Sequence, residues 1–171
     1  NRKSGAHHRA SGKGCAPVMD TLSDVLRAVR LTGAVFFKVE ATTPWAAEAP
    51  PSAAIAPHIM PGVDHVIEYH VVVRGSCWAG LVDEPAVKLE AGDVIVFPQG
   101  DAHVVSSDPG MRGQPQADAF RQLHDRVPIS LSLNGGGKEQ AQLVCGFLGC
   151  DARPFNPLIA TLPRVIHLRG S

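Results

Sequence analysis

The segment Leu89–His103, LEAGDVIVFPQGDAH, constrains the fold of this chain more than any other part of the sequence. The pair Gly92-Asp93 is typical of a tight turn, and the apolar run Val94–Phe97 that follows is typical of a short β-strand. Pro98–Gly100 then ends that strand and reverses the chain. His103 therefore begins a second strand, from which its ring can point into the interior of a β-structure.

Short apolar runs alternate with Gly- and Pro-containing turns along the rest of the chain. Strands are predicted at residues 34–40, 65–73, 77–82, 87–89, 94–97, 102–105, 127–133, 142–147 and 165–168, and short helices at 21–31, 117–126 and 157–162. Residues 41–63 contain five prolines and are predicted to be a long connection that wraps the domain or covers a pocket. This pattern predicts an all-β barrel or sandwich rather than an α/β sheet.

Length and charge indicate one domain with no preference for polyanions. The 171 residues suffice for a single core, and the formal net charge is zero. No apolar run approaches the roughly 20 residues of a membrane span. Residues 1–18 carry four basic and no acidic side chains and lack apolar periodicity. They are predicted to be a disordered or cloning-derived leader, with Met19 a plausible natural start.

The four cysteines favour free thiols. Cys15 lies in the predicted leader, which leaves Cys77, Cys145 and Cys150, an awkward number for a disulfide framework. A reducing cytoplasm is therefore the expected compartment.

The glycine, proline and histidine spacing in residues 92–103 matches the second motif of the cupin family, G-x5-P-x-G-x2-H. Ser107 stands where that motif continues with Asn. Of the first cupin motif, Glu68 and Gly75 keep the E-x6-G part, whereas the preceding H-x-H is absent from residues 61–64. The resemblance implies an all-β double-stranded β-helix, or jelly-roll barrel, with a few short peripheral helices.

A closer resemblance is carried by EYHVVVRGSCWAGL, VKLEAGDVIVFPQGDAHVVSSDPG, QLVCGFLGCD and NPLIATLPRVIHL. From about Met19 to Leu168 the chain resembles the N-terminal ligand-binding cupin domain of AraC-type transcription regulators. The resemblance implies that residues 19–171 form a cytoplasmic effector-sensing domain, which in this class often forms a homodimer. DNA binding is expected only through a further helix-turn-helix domain, because nothing after Leu168 could supply a recognition helix.

Side-chain alternation places Glu68 and His70 on one face of their strand. With His103 they could form a two-histidine, one-carboxylate site for a divalent metal such as zinc, iron or nickel. The alternative is a hydrogen-bonded polar cluster in a ligand pocket, where buried polar groups need partners. The predicted pocket also includes Trp78. Trp45 could stack on a ligand as well, although a lone tryptophan belongs more often to the core.

Two thiols extend the candidate metal set. Cys145 and Cys150 could join His103 or Cys77 around zinc, which favours thiolate and imidazole ligands. Residues five apart on one strand point to opposite faces, however, and buried cysteine is commonly a small apolar residue.

Three functions are compatible with this sequence. A small-molecule effector could enter the mouth of the barrel, as expected of a transcription-regulator sensor. A free-standing metal-dependent dioxygenase or isomerase would need an open metal site, and the missing H-x-H argues against it. A dimerising or structural barrel is the third possibility. We expect the sensor, without enzymatic activity and without catalytic residues.

Overall fold

The computed structural model describes residues 32–115, 129–150 and 157–171. The predicted leader and the helices predicted at 21–31 and 117–126 lie outside the described residues. Within the described residues, the predicted strands and the helix at 157–162 are confirmed, with boundaries that agree within three residues.

Ten strands and two short helices make up the described structure. In chain order they are β1 (Thr32–Thr42), β2 (Ala46–Ala49), α1 (Ser52–Ile59), β3 (His65–Arg74), β4 (Ser76–Leu81), β5 (Val87–Glu90), β6 (Val94–Phe97), β7 (His103–Ser106), β8 (Ile129–Asn134), β9 (Gln140–Cys150), α2 (Pro157–Thr161) and β10 (Ile166–Leu168). A six-stranded sheet has the order β10-β6-β3-β9-β1-β8, and a four-stranded sheet has the order β2-β7-β4-β5. This is the predicted all-β, jelly-roll type of fold.

The core lies between the two sheets. Because side chains alternate along a strand, each strand sends every second residue inward. The larger sheet contributes Val39, Leu143 and Phe147, and the smaller sheet contributes Ala79 and Val105. Strand pairs are antiparallel except for β1 with β8, which are parallel. No helix among the described residues is long and apolar enough to cross a bilayer.

The long connection predicted at 41–63 contains a strand and a helix that were not predicted from the sequence. Ala46–Ala49 pairs with β7 as the edge strand of the smaller sheet, and α1 buries Ile55 completely. Alanine has little intrinsic β-propensity, so this strand depends on its backbone pairing rather than on its own side chains. In α1, an internal proline, Pro57, obscures the helical pattern.

The turn after β6 holds the segment 157–170, which we call the C-terminal segment. The side-chain amide of Gln99 donates to the backbone carbonyls of Ile159, at 2.7 Å, and Leu162, at 3.2 Å. The guanidinium of Arg164 donates to both carboxylate oxygens of Asp101, at 2.9 and 3.1 Å. The residues between Pro98 and His103 therefore position both the start of β7 and the C-terminal segment.

Asp93 binds the last residues of the C-terminal segment. Its carboxylate accepts hydrogen bonds from the Gly170 backbone, at 2.8 Å, and from His167 Nε2, at 2.9 Å. A third bond comes from the Glu90 backbone, at 3.1 Å. These hydrogen bonds, the Gly170 bond first, lower the pKa of Asp93 to about 2. The contribution of ionised Asp93 to folding stability is therefore present above its ordinary pKa of 3.8 and is lost as the pH falls through about 2.

We expect Asp93→Ala to accelerate amide hydrogen exchange in β10 and at Gly170, because the backbone and imidazole donors lose their shared acceptor. Exchange in β9 should stay unchanged. Exchange measured by mass spectrometry at neutral pH tests this, with Asp64→Ala, an exposed aspartate, as the control. Equal exchange of β10 in both variants would contradict the assignment.

Candidate ligand site

A cavity of about 100 Å³ lies between the two sheets. Most of its wall is apolar: Phe37, Val39, Trp45, Ala47, Ala49, Val105, Leu131, Leu143, Cys145 and Phe147. Four polar side chains complete it: Glu48, Glu68, His70 and His103. Ala47 and Leu131 are both exposed, Leu131 by 39%, and they belong to the edge strands β2 and β8. The mouth of the cavity therefore lies between these two edges.

Strand β3 places two polar side chains on the cavity side of the larger sheet. It is flanked by β6 and β9, and Glu68 lies opposite Phe97 and Phe147 in the two neighbouring strands. His70, two residues on, shares this face because side chains alternate. Both residues are almost completely buried, with 2% of Glu68 and 8% of His70 exposed.

His103 reaches the same place from the smaller sheet. It is the first residue of β7, and its ring stacks on that of Phe97, with centroids 3.8 Å apart and an angle of 13° between the planes. Its Nδ1 lies 3.0 Å from the backbone carbonyl oxygen of Asp101. A carbonyl oxygen can only accept, so Nδ1 carries the proton and Nε2 has a free lone pair.

The two histidine rings are hydrogen-bonded to each other. Their Nε2 atoms are 2.8 Å apart. Because Nε2 of His103 is the acceptor, Nε2 of His70 must be the donor, and Nδ1 of His70 is left unprotonated. That Nδ1 and the Oε1 of Glu68 are buried and have no hydrogen-bond partner within the described ranges. The cluster thus presents two unsatisfied polar atoms in a largely apolar enclosure.

Burial sets the charge of this cluster. It raises the pKa of Glu68 to about 8 and lowers the pKa of His103 to about 4. The pKa of His70 lies well below its ordinary value, mainly through burial and then through repulsion from His103. At neutral pH, Glu68 is therefore mostly a carboxylic acid and both rings are uncharged. Its Oε2, 3.7 Å from Nε2 of His103, does not form an ion pair in that state.

Of the predicted pocket residues, Glu68, His70 and His103 are brought together and Trp78 is not. Trp78 alternates with Cys77 and Ala79, which face the core, so it lies on the outer face of the smaller sheet. It is not among the residues that line this cavity. Trp45, from the segment that was predicted to be irregular, lines it instead and is 5% exposed.

The two candidate thiols are separated. Cys145 lines the cavity, whereas Cys150 packs with Ile67 and Ile159 in a second apolar cluster outside it. Five residues along one strand do point to opposite faces, so a zinc site that uses both thiols does not form. Burial raises the pKa of the Cys145 thiol, which keeps it protonated and a poor metal ligand.

The predicted metal site does not fit this arrangement. Two imidazoles bound to one zinc ion at about 2.0–2.1 Å in tetrahedral geometry would have their nitrogens roughly 3.3 Å apart. The 2.8 Å between the Nε2 atoms of His70 and His103 is instead a hydrogen-bond distance. Across the described parts of the chain, no group of three or more His, Cys, Asp and Glu side chains is placed to hold a metal ion.

The contributions of Trp45, Ala47 and Ala49 had little signal in the sequence. All three lie in or beside β2, whose alanine-rich sequence does not resemble a strand. The partner strand β7 could have indicated this wall of the cavity. Its alternation places Val105 on the same inward face as His103, and these two residues pair with Ala47 and Ala49.

Comparison with known proteins agrees with this fold. A family model described as cupin matches residues 20–171. None of the curated proteins compared with the chain matches it.

Proposed function

We infer that this chain, which belongs to the cupin family, is the effector-sensing domain of an AraC-type transcription regulator. The observation that carries this proposal is the apolar cavity with two buried polar atoms, Oε1 of Glu68 and Nδ1 of His70, that have no hydrogen-bond partner among the described residues. Buried polar groups without partners are costly, and a bound ligand can supply the missing hydrogen bonds. The matched family is also associated with such regulators.

We favour sensing over catalysis for a chemical reason. A metal-dependent cupin enzyme needs an open ligand set, and residues 61–64 carry no histidine where the family has H-x-H. In this structure Pro61, Gly62 and Asp64 are exposed to solvent in a turn. His70 and His103 are uncharged and hydrogen-bonded to each other. These features support a binding role without catalytic residues.

The turn after β6 offers a route from the cavity to the rest of a regulator. His103 borders the cavity, while Gln99 and Asp101 of the same turn hold the C-terminal segment. An effector that binds one position of His103 more tightly than another would shift the equilibrium between two placements of that segment. Such a shift would reposition an attached helix-turn-helix domain, through which alone the regulator would contact DNA.

Dimerisation and cytoplasmic location belong to the same proposal. Sensor domains of this class often act as homodimers. Among the described strands, β5 and β10 are sheet edges paired on one side only, which suits a symmetric contact. Cys77 and Cys145 are free thiols, which suits a reducing compartment.

A small-molecule screen by thermal shift tests the sensor role. We expect at least one compound to raise the melting temperature by several degrees at saturating concentration and to be recovered unchanged. Ala47→Phe, which places a ring at the mouth of the cavity, should abolish that shift. Ala54→Phe, at an exposed position on α1, is the matched control and should preserve it.

The outcomes separate the candidate functions. Conversion of the compound into a product would favour an enzyme. A shift that survives in Ala47→Phe would place binding elsewhere on the domain. No response to any compound would favour a structural or dimerising role.

A further inference from the structure

We propose that the cavity takes a small, uncharged hydroxyl compound with an apolar body about the size of one ring, held through its hydroxyl group by Glu68 and His70. This inference rests on the proposed sensor function and names the class of effector.

Size limits the body of the ligand. The cavity measures about 100 Å³. A buried apolar cavity of roughly 150 Å³ holds one benzene molecule, so a single ring or a short branched chain is the upper limit here. The aromatic and aliphatic wall, which includes Phe37, Trp45 and Leu143, favours an apolar body because its burial removes apolar surface from water.

The charges around the cavity disfavour ionic ligands. No Lys or Arg is among the described residues that line it, so these residues offer a buried anion no counter-charge. Glu48, the remaining lining carboxylate, is already bound by both Nε and Nη2 of Arg112, each at 2.8 Å. A cation would have to lose its hydration in a mainly apolar enclosure and would force Glu68 to ionise there.

The two unpaired atoms match the two functions of a hydroxyl group. Glu68 in its protonated form donates a hydrogen bond, and Nδ1 of His70 accepts one. A hydroxyl group can accept from the first and donate to the second. A carboxylate ligand can only accept and would leave Nδ1 of His70 unsatisfied, while an ammonium group can only donate. Both residues lie on one face of β3 and border the same cavity.

Four one-ring probes test the chemistry: phenol, toluene, benzoate and benzylammonium. Titration calorimetry at pH 7 should show phenol binding at least tenfold more tightly than each of the other three. Glu68→Gln keeps a donor at the same place and should change the affinity for phenol by less than threefold. Glu68→Leu removes the donor and keeps the site apolar, so the advantage of phenol over toluene should shrink at least threefold, to what the hydrogen bond to Nδ1 of His70 supplies.

The control outcomes distinguish two kinds of failure. If toluene, benzoate or benzylammonium binds as tightly as phenol, or if phenol keeps its full advantage in Glu68→Leu, the hydroxyl inference is overturned while the cavity remains a ligand site. If none of the four probes binds, or if all bind Ala47→Phe as well as the unmodified protein, the inference fails and the ligand site fails with it.

Discussion

Glu68→Gln is expected to raise the free energy of unfolding by about 2–4 kcal/mol at pH 9 and by less than about 1 kcal/mol at pH 5. Burial holds the pKa of this carboxyl at about 8 in the folded protein, against 4.5 ordinarily. The folded state therefore keeps a proton that the unfolded state has released. The contribution of protonated Glu68 to the free energy of unfolding is fully present below pH 4.5 and is lost as the pH rises through about 8. Glutamine has nearly the same shape and no proton to lose.

His103 contributes the opposite slope. Its pKa falls from 6.5 to about 4 on folding, so its contribution is present above pH 6.5 and is lost as the pH falls through about 4. The windows of Glu68 and His103 overlap between pH 4.5 and 6.5, where the two slopes oppose each other. Because burial also lowers the pKa of His70, two rising slopes meet one falling slope there. We expect stability to increase up to about pH 6.5 and to decline above it.

Chemical denaturation at pH 5, 7 and 9 measures both effects. The decline from pH 6.5 to 9 should be much smaller in Glu68→Gln than in the unmodified protein. Glu139→Gln, at an exposed glutamate, is the control and should leave the pH profile unchanged. Parallel profiles for the unmodified protein and Glu68→Gln would show that Glu68 is ionised in the folded state at neutral pH.

Gly75→Ala is expected to lower the free energy of unfolding by about 3–5 kcal/mol, in the range of severe backbone substitutions. Gly75 joins β3 to β4 and has a φ of +77°, which favours glycine. A Cβ atom at this position would also collide with the backbone carbonyl oxygen of Gln140 at the start of β9. Because that oxygen belongs to the backbone, relieving the collision means moving a strand of the larger sheet.

Gly62→Ala is the matched control for this substitution. Gly62 has a similar φ of +84°, but no atom of the described residues lies within 4 Å of its would-be Cβ. It should cost only the strain of the left-handed backbone, about 1–2 kcal/mol. Denaturant unfolding of both variants gives the difference directly, and equal losses would remove the steric role assigned to Gly75.

Much of this fold could be predicted because its strands obey simple rules. Period-two alternation placed Glu68 and His70 together on β3 and set Cys145 and Cys150 on opposite faces. The spacing of Gly92, Pro98 and Gly100 predicted the chain reversal after which His103 begins a new strand. These are local properties, so a sequence pattern can carry them.

The rest depended on contacts between distant segments. Whether Trp78 faces inward is decided by the register of β4 against β5 and β7, and a shift of one residue would reverse it. The edge strand β2 exists because β7 supplies hydrogen bonds to an alanine-rich segment. The distance between His70 and His103, which argues against a metal, is set by how the two sheets pack.

The hydrogen bonds that join Asp101, His103 and His70 have a direction. Each ring donates toward the turn and accepts from the cavity side, so the dipoles add and the lone pair on Nδ1 of His70 becomes a stronger acceptor than that of an isolated imidazole. This series of hydrogen bonds ends at the backbone carbonyl of Asp101, which cannot take up a proton. It is therefore a dead end for proton transfer, and both rings keep one tautomer unless the bond to Asp101 breaks. A ligand that donates a hydrogen bond to Nδ1 of His70 therefore strengthens the hydrogen bond from His103 to the Asp101 carbonyl.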